Sequence, residues 1–232
     1  MVAQKKQRFQ VIRTASLLFI TLFLAGCVHL DEYIQINRNG SAKIVISYSI
    51  PLSSLSLLKD SEAVIGELQG VKNVADMPRL FDAKLLRQHF EKYKGVDIIS
   101  IRVKKEDGRI TTFLSLFVDD FRGTLRDGML PYTTLEKAGE DYVFAARYPF
   151  NLSKLTPDKT LEKAFSEMRV NFKVKTPTEI TKTNANSQLA NLAVWEFSKK
   201  NPFLKTNGRL IVQFKGNNLS FLDKPSEKSG KE

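Results

Sequence analysis

The chain has 232 residues, 42% of them apolar, with one cysteine, two histidines and a formal net charge of +11. That apolar content can bury a sizeable core and excludes a disordered chain, while a single cysteine excludes an internal disulfide and a thiolate-rich metal site. The basic excess favours anionic partners.

Residues 17–27, Leu-Leu-Phe-Ile-Thr-Leu-Phe-Leu-Ala-Gly-Cys, form a short apolar run that closes on small residues and then on Cys27. Lys5, Lys6, Arg8 and Arg13 precede it with no acid among them, the order of a secretory signal. The stretch from Ala15 to Gly26 is well below the ~20 residues of a membrane-spanning helix. Leu24-Ala25-Gly26-Cys27 resembles the lipobox of bacterial lipoproteins. The resemblance implies cleavage between Gly26 and Cys27, a diacylglyceryl group on the Cys27 sulfur and acylation of the new amino terminus. Acyl chains at ~0.8 kcal/mol per buried methylene would hold the protein to a membrane. Residues 1–26 are then a removed leader, and the remaining 206 residues keep a charge of +7 once the four leader cations are gone. The expected address is the extracytoplasmic side of the cell membrane or outer membrane. Expected partners are that membrane, an anionic lipid or an envelope protein, and not nucleic acid.

Residues 28–38 and 42–50 flank Asn37-Arg38-Asn39-Gly40, an Asn-Gly hairpin signal. In the second strand Ala42, Ile44, Ile46, Tyr48 and Ile50 alternate with Lys43, Val45, Ser47 and Ser49, which predicts a sheet covered on one side. Residues 52–68 fit one or two short helices. Leu80, Phe81, Leu85, Leu86, Phe90 and Tyr93 predict an amphipathic helix, begun by Asp76 with Pro78 in its first turn and stopped by Gly95. A second hairpin follows over 96–105 and 109–119 about Glu106-Asp107-Gly108, with Ile99, Ile101 and Val103 sharing a face. Its return strand is apolar on both faces, with Phe113 and Phe117 opposite Ile110, Leu114, Leu116 and Val118, as expected of a central strand or of one whose second face meets a helix or ligand. Residues 120–131 read as a loop and 133–148 as a third hairpin. Thr156-Pro157-Asp158 predicts another helix start. Strict alternation over 169–175 places Val170, Phe172 and Val174 inward and Arg169, Asn171, Lys173 and Lys175 outward. Three strands follow at 179–183, 189–197 and 209–215.

Short hairpin connections dictate antiparallel pairing, and grouped helices put the chain in the α+β class. The expected architecture is a curved antiparallel sheet or partial barrel of hairpins with two to three helices on one face. One such domain is expected over 27–222, followed by a disordered polar tail over 223–232.

Catalytic parts are lacking in this pattern. His29 sits beside the lipidated cysteine and His89 on the amphipathic helix, so neither is placed as a base for a hydrolytic triad. Asp119-Asp120 and Glu106-Asp107 lie at a strand end and a turn, without calcium-loop spacing. The expectation is a non-enzymatic protein with no cofactor and no metal. Sixteen Phe and six Tyr, several on strands apolar on both faces, raise a groove for an acyl chain or lipid head group, or else fill an ordinary core. Arg102, Lys104, Lys173 and Lys175 are the candidate phosphate-holding cations at its rim.

Two segments carry a further resemblance. Gly26-Cys27-Val28-His29-Leu30-Asp31, with its strand and Asn37-Arg38-Asn39-Gly40-Ser41-Ala42, is similar to the opening of the bacterial lipoprotein family typified by the LppM domain. Thr176-Pro177-Thr178-Glu179-Ile180-Thr181-Lys182-Thr183-Asn184, followed by Trp195, is similar to that family's Pro-led strand ending in Asn and a later strand carrying Trp. The resemblance implies an α+β fold likened to lipid-binding proteins and an affinity for anionic phospholipid or glycolipid. The function expected is an acyl-anchored envelope lipoprotein that binds such a lipid; the alternative is a structural or assembly partner of an envelope membrane protein complex.

Overall fold

The computed structural model describes residues 29–52, 80–130, 133–147, 169–197, 209–217 and 219. The first hairpin forms as its sequence predicts, from β1 (His29–Ile36) and β2 (Ala42–Pro51). Of its Asn-Gly pair only Gly40 uses the left-handed region, at φ 84°, where a Cβ would be strained. The second hairpin pairs β3 (Val96–Glu106) with β4 (Arg109–Val118). It turns on Asp107 (φ 51°) and Gly108 (φ 70°), the two positive angles of a type I′ turn. Then come β5 (Thr133–Ala138), β6 (Asp141–Arg147), β7 (Arg169–Lys175), β8 (Ile180–Thr183), β9 (Ser187–Leu189), β10 (Leu192–Phe197) and β11 (Arg209–Lys215).

These strands make two sheets, neither closed into a barrel, instead of one curved sheet. The larger has the order β3-β4-β2-β1-β7-β10-β9 and the smaller β5-β6-β11-β8. Pairing is antiparallel as expected except where β1 meets β7 in parallel. That contact joins His29, at the start of the described chain, to Arg169 far along the sequence, and no local signal encodes it.

The inner face of the large sheet carries Ile34, Ile36, Ala42, Ile44, Leu114, Leu116, Val118, Phe172, Val174 and Trp195, all buried. The second sheet lies over its β1–β7 region through Phe144, Ala146 and Leu210. Helix α1 (Ala83–Phe90) covers the β3 end, burying Leu86 and Phe90. The incoming turn is pinned by the Leu80 carbonyl, which accepts hydroxyls from Tyr48 and, at 2.8 Å, from Thr112. Thus a second sheet does much of the covering expected of helices.

Several boundaries differ from expectation. Asp82, not Asp76, caps α1, its carboxylate accepting from the Lys84 and Leu85 amides at 2.9 and 3.0 Å. Phe81 consequently stays outside the helix and packs edge-on against Tyr48. The loop expected at 120–131 contains α2 (Phe121–Arg126), capped by Asp120 through the Gly123 amide at 2.9 Å. Its Phe121 and Leu125 lie one turn apart and both enter the core. In β3 a bulge between Ile98 and Ser100 leaves Ile99 without a partner strand residue and 59% exposed. A bulge kinks the strand locally, which takes Ile99 off the face expected to be shared with Ile101. The strand expected at 189–197 is a β9–β10 hairpin that turns at Ala190, φ 46°. Strand β4 is interior to the sheet, as expected. The helices expected within 52–68 and after Thr156, and the polar tail, lie outside the described residues.

Candidate functional site

Since directly paired residues project to the same side of a sheet, the registers fix the outer face of the large sheet in rows. From β3 across to β7, one row runs Lys104, Thr111, Ser49, His29, Arg169. The next runs Arg102, Phe113, Ser47, Asp31, Asn171, and the third Ser100, Ser115, Val45, Tyr33, Lys173. A fourth runs Asp97, Phe117, Lys43, Gln35, Lys175.

All four candidate cations therefore lie on one face, but in two pairs. Arg102 on β3 and Lys173 on β7 are separated by β4, β2 and β1. Four strand spacings come to about 19 Å, too far for one phosphate to bridge. Lys104 is held by Glu106 at 3.3 Å in an exposed ion pair. Among the described residues Arg102, Lys173 and Lys175 have no ion-pair partner. The face between the pairs is polar and aromatic. Tyr33 donates to Gln35 (3.0 Å), Gln35 to Asn37 (3.0 Å) and Asn37 to Ser41 (2.9 Å), a hydrogen-bonded string running toward the first hairpin turn. Phe113, expected to lie on a covered or ligand-bearing face, is 38% exposed.

The inner face offers no lipid groove in the described residues around β1 and β7. The void bounded by Glu32, Ile34, Phe144, Ala146, Phe172, Lys173, Val174 and Leu210 holds about 10 Å³. That is no more than a water and far below an acyl chain. Aromatic side chains fill the space instead: Trp195, Tyr142, Phe144 and Phe214 are all essentially without solvent contact. Tyr142 stacks with Phe214 at 6.0 Å and Phe172 meets Phe197 edge-on at 5.9 Å. The described aromatics of this region are core.

A cluster that the sequence did not disclose surrounds His29. Arg109, from β4, reaches across to β2 to donate to the Ser49 hydroxyl at 2.9 Å and carbonyl at 3.1 Å, and Ser49 is the direct partner of His29. Arg169 pairs with His29 from the other side, in β7. Asp31 sits one row away, tied to Asn171 at 2.7 Å. Partial burial holds the His29 pKa below its usual 6.5, Arg109 and Arg169 push it the same way, and Asp31 opposes them. Burial and neighbouring cations both disfavour the imidazolium. A histidine with a depressed folded pKa binds its proton more readily when unfolded. Its contribution is therefore complete above about pH 6.5 and is lost as pH falls toward the folded pKa. Urea midpoints measured between about pH 5 and 7.5 should rise with pH more steeply in the native chain than in His29→Gln. Equal slopes would show that the cluster leaves His29 unperturbed.

The other candidate groups have structural places. His89 rides on α1 with its ring against Phe90 and Tyr93, far from His29 in the fold. Asp120 caps α2, and Asp107 occupies a turn. Gly26 and Cys27 lie outside the described residues, just ahead of β1. No helix among the described residues is long and apolar enough to cross a membrane.

No protein-family model matches the chain, and no curated protein is similar to it by sequence. Among solved structures it is similar to the folded domain of the Mycobacterium tuberculosis protein LppM, determined by NMR. The identity is 14% and the TM-score 0.44, over 82% of this chain and 91% of that one.

Proposed function

We propose that the chain is an acyl-anchored envelope lipoprotein, without enzymatic activity, whose folded part engages an anionic phospholipid or glycolipid through surface cations. The leader and lipobox ending at Cys27 support the address. The observation that carries the binding mode is the pairing of an interior that is filled among the described residues around β1 and β7 with an open outer face. On that face Arg102, Lys173 and Lys175 lack acidic partners among the described residues. Such a surface recognises a head group by its charge and leaves the acyl chains outside the protein.

The test is lipid analysis of the protein purified from membranes in mild detergent. Anionic lipid should be enriched over the bulk membrane composition, stripped by salt, and reduced in the Arg102→Gln/Lys173→Gln/Lys175→Gln variant. A lipid profile equal to the bulk membrane would sink this reading.

A second reading, an assembly partner of an envelope membrane protein complex, is favoured by Leu189 at 74% exposure on edge strand β9, together with Phe113 on the same face. Crosslinks from these two positions to one membrane protein, with no lipid enrichment, would decide for it.

A further inference from the structure

The lipid anchor and the fold together select which cations can meet the membrane. His29 opens the central strand of the seven-stranded sheet. Cys27 precedes it by two residues, a reach of about 7 Å. The anchor thus holds one particular end of that sheet at the bilayer. At this end lie the last residues of β3, the β3–β4 turn and the first residues of β4 and β7. They supply Lys104, Lys105, Arg109 and Arg169, against Glu106 and Asp107. Lys104, Lys105 and Arg169 are exposed, and so is the apolar Leu52, whose amide donates to the Gly108 carbonyl at the same end. Lys175 is six residues up β7 from Arg169, about 20 Å, and Lys173 about 13 Å. Both exceed the ~10 Å over which a surface potential acts at about 0.1 M salt.

We infer that the His29 end of the large sheet, with Lys104, Lys105, Arg109 and Arg169, is a docking edge for the anionic head groups of the same membrane that holds Cys27. The inference rests on the acyl-anchor reading and adds an orientation to it: the domain stands on this edge, with the first hairpin turn about 26 Å away along β1. Lys173 and Lys175, far up the face, are then left for an anionic phospholipid or glycolipid presented from outside the supporting bilayer.

The experiment uses the full chain, acylated and purified from membranes, with one dye placed through Asp107→Cys or, separately, Asn39→Cys. Each protein is reconstituted into vesicles of phosphatidylcholine alone or mixed with phosphatidylglycerol, both carrying a head-group spin-labelled quencher. Moving from neutral to anionic vesicles should raise quenching at position 107 by about twofold or more and leave position 39 unchanged. The exposed triple variant Lys104→Gln/Lys105→Gln/Arg169→Gln should abolish the rise. Equal quenching at 107 in both vesicle types, a rise at 39 matching that at 107, or a triple variant that behaves like its parent would each overturn the docking edge. Failure of the anchor reading would look different: the protein would not float with vesicles, and a second dye would attach to an unblocked Cys27.

Discussion

Replacing Trp195 by alanine is expected to destabilise the protein by about 3–5 kcal/mol, the cost of removing a large aromatic and leaving a cavity. Trp195 is fully buried, and it ties the two sheets together. On the inner face of β10 it pairs with Phe172 of β7, in the large sheet. Its indole N–H donates to the Asn184 side-chain oxygen at 3.1 Å, and that same oxygen accepts from the Ile211 amide of β11, in the small sheet, at 2.9 Å. The Asn184 amide nitrogen donates in turn to the Arg209 carbonyl at 2.7 Å. Asn184→Ala should therefore cost about 1–3 kcal/mol, the penalty of a buried indole N–H left without its acceptor. The two substitutions share one bond, so their effects should fall short of additivity in a double-mutant cycle read by urea unfolding. Strict additivity would mean that the Trp195–Asn184 bond does not join the sheets.

Cys27→Ser is expected to abolish acylation and leave the leader uncut, so the chain persists 26 residues longer. One acyl chain binds a membrane only reversibly, with a constant on the order of 10⁴ M⁻¹, whereas two or more hold it stably. The variant would have none. Its apolar run is too short to span the bilayer, so an alkaline wash should extract it while the native protein stays with the membrane. Metabolic labelling with a fatty acid should fall to background. Unchanged processing of the variant would place the cleavage signal elsewhere.

Much of the local structure was legible in the residues because hairpins are encoded locally. Asp107-Gly108 sets both positive angles of its turn, and the alternation of Val170, Phe172 and Val174 sets the inner face of β7. Helix α2 was hidden because Gly123, Gly128 and Pro131 imitate a loop. Yet Asp120 before Phe121 and Leu125 is a cap followed by an apolar pair one turn apart. The bulge at Ile99 carried no such sign, since a run of Ile and Val reads as plain strand.

The site was legible only in part, for a different reason. Alternation alone shows that Lys173 and Lys175 point away from the core. How far they lie from Arg102 depends on the strand order, and that rests on the parallel β1–β7 contact. The same contact brings Arg169 beside His29, while Arg109 arrives through the pairing of β2 with β4. Arg109 and Arg169 are remote in sequence, and only the assembled sheet places them on either side of one histidine.

The most direct test of the anchored-lipoprotein reading is the mass of the amino-terminal peptide of the protein taken from membranes. A peptide that begins at Cys27 and carries a diacylglyceryl group is the predicted result. A peptide that runs uncut through Gly26, or begins at a Cys27 with a free thiol, would contradict the anchor and with it the orientation of the sheet on the membrane.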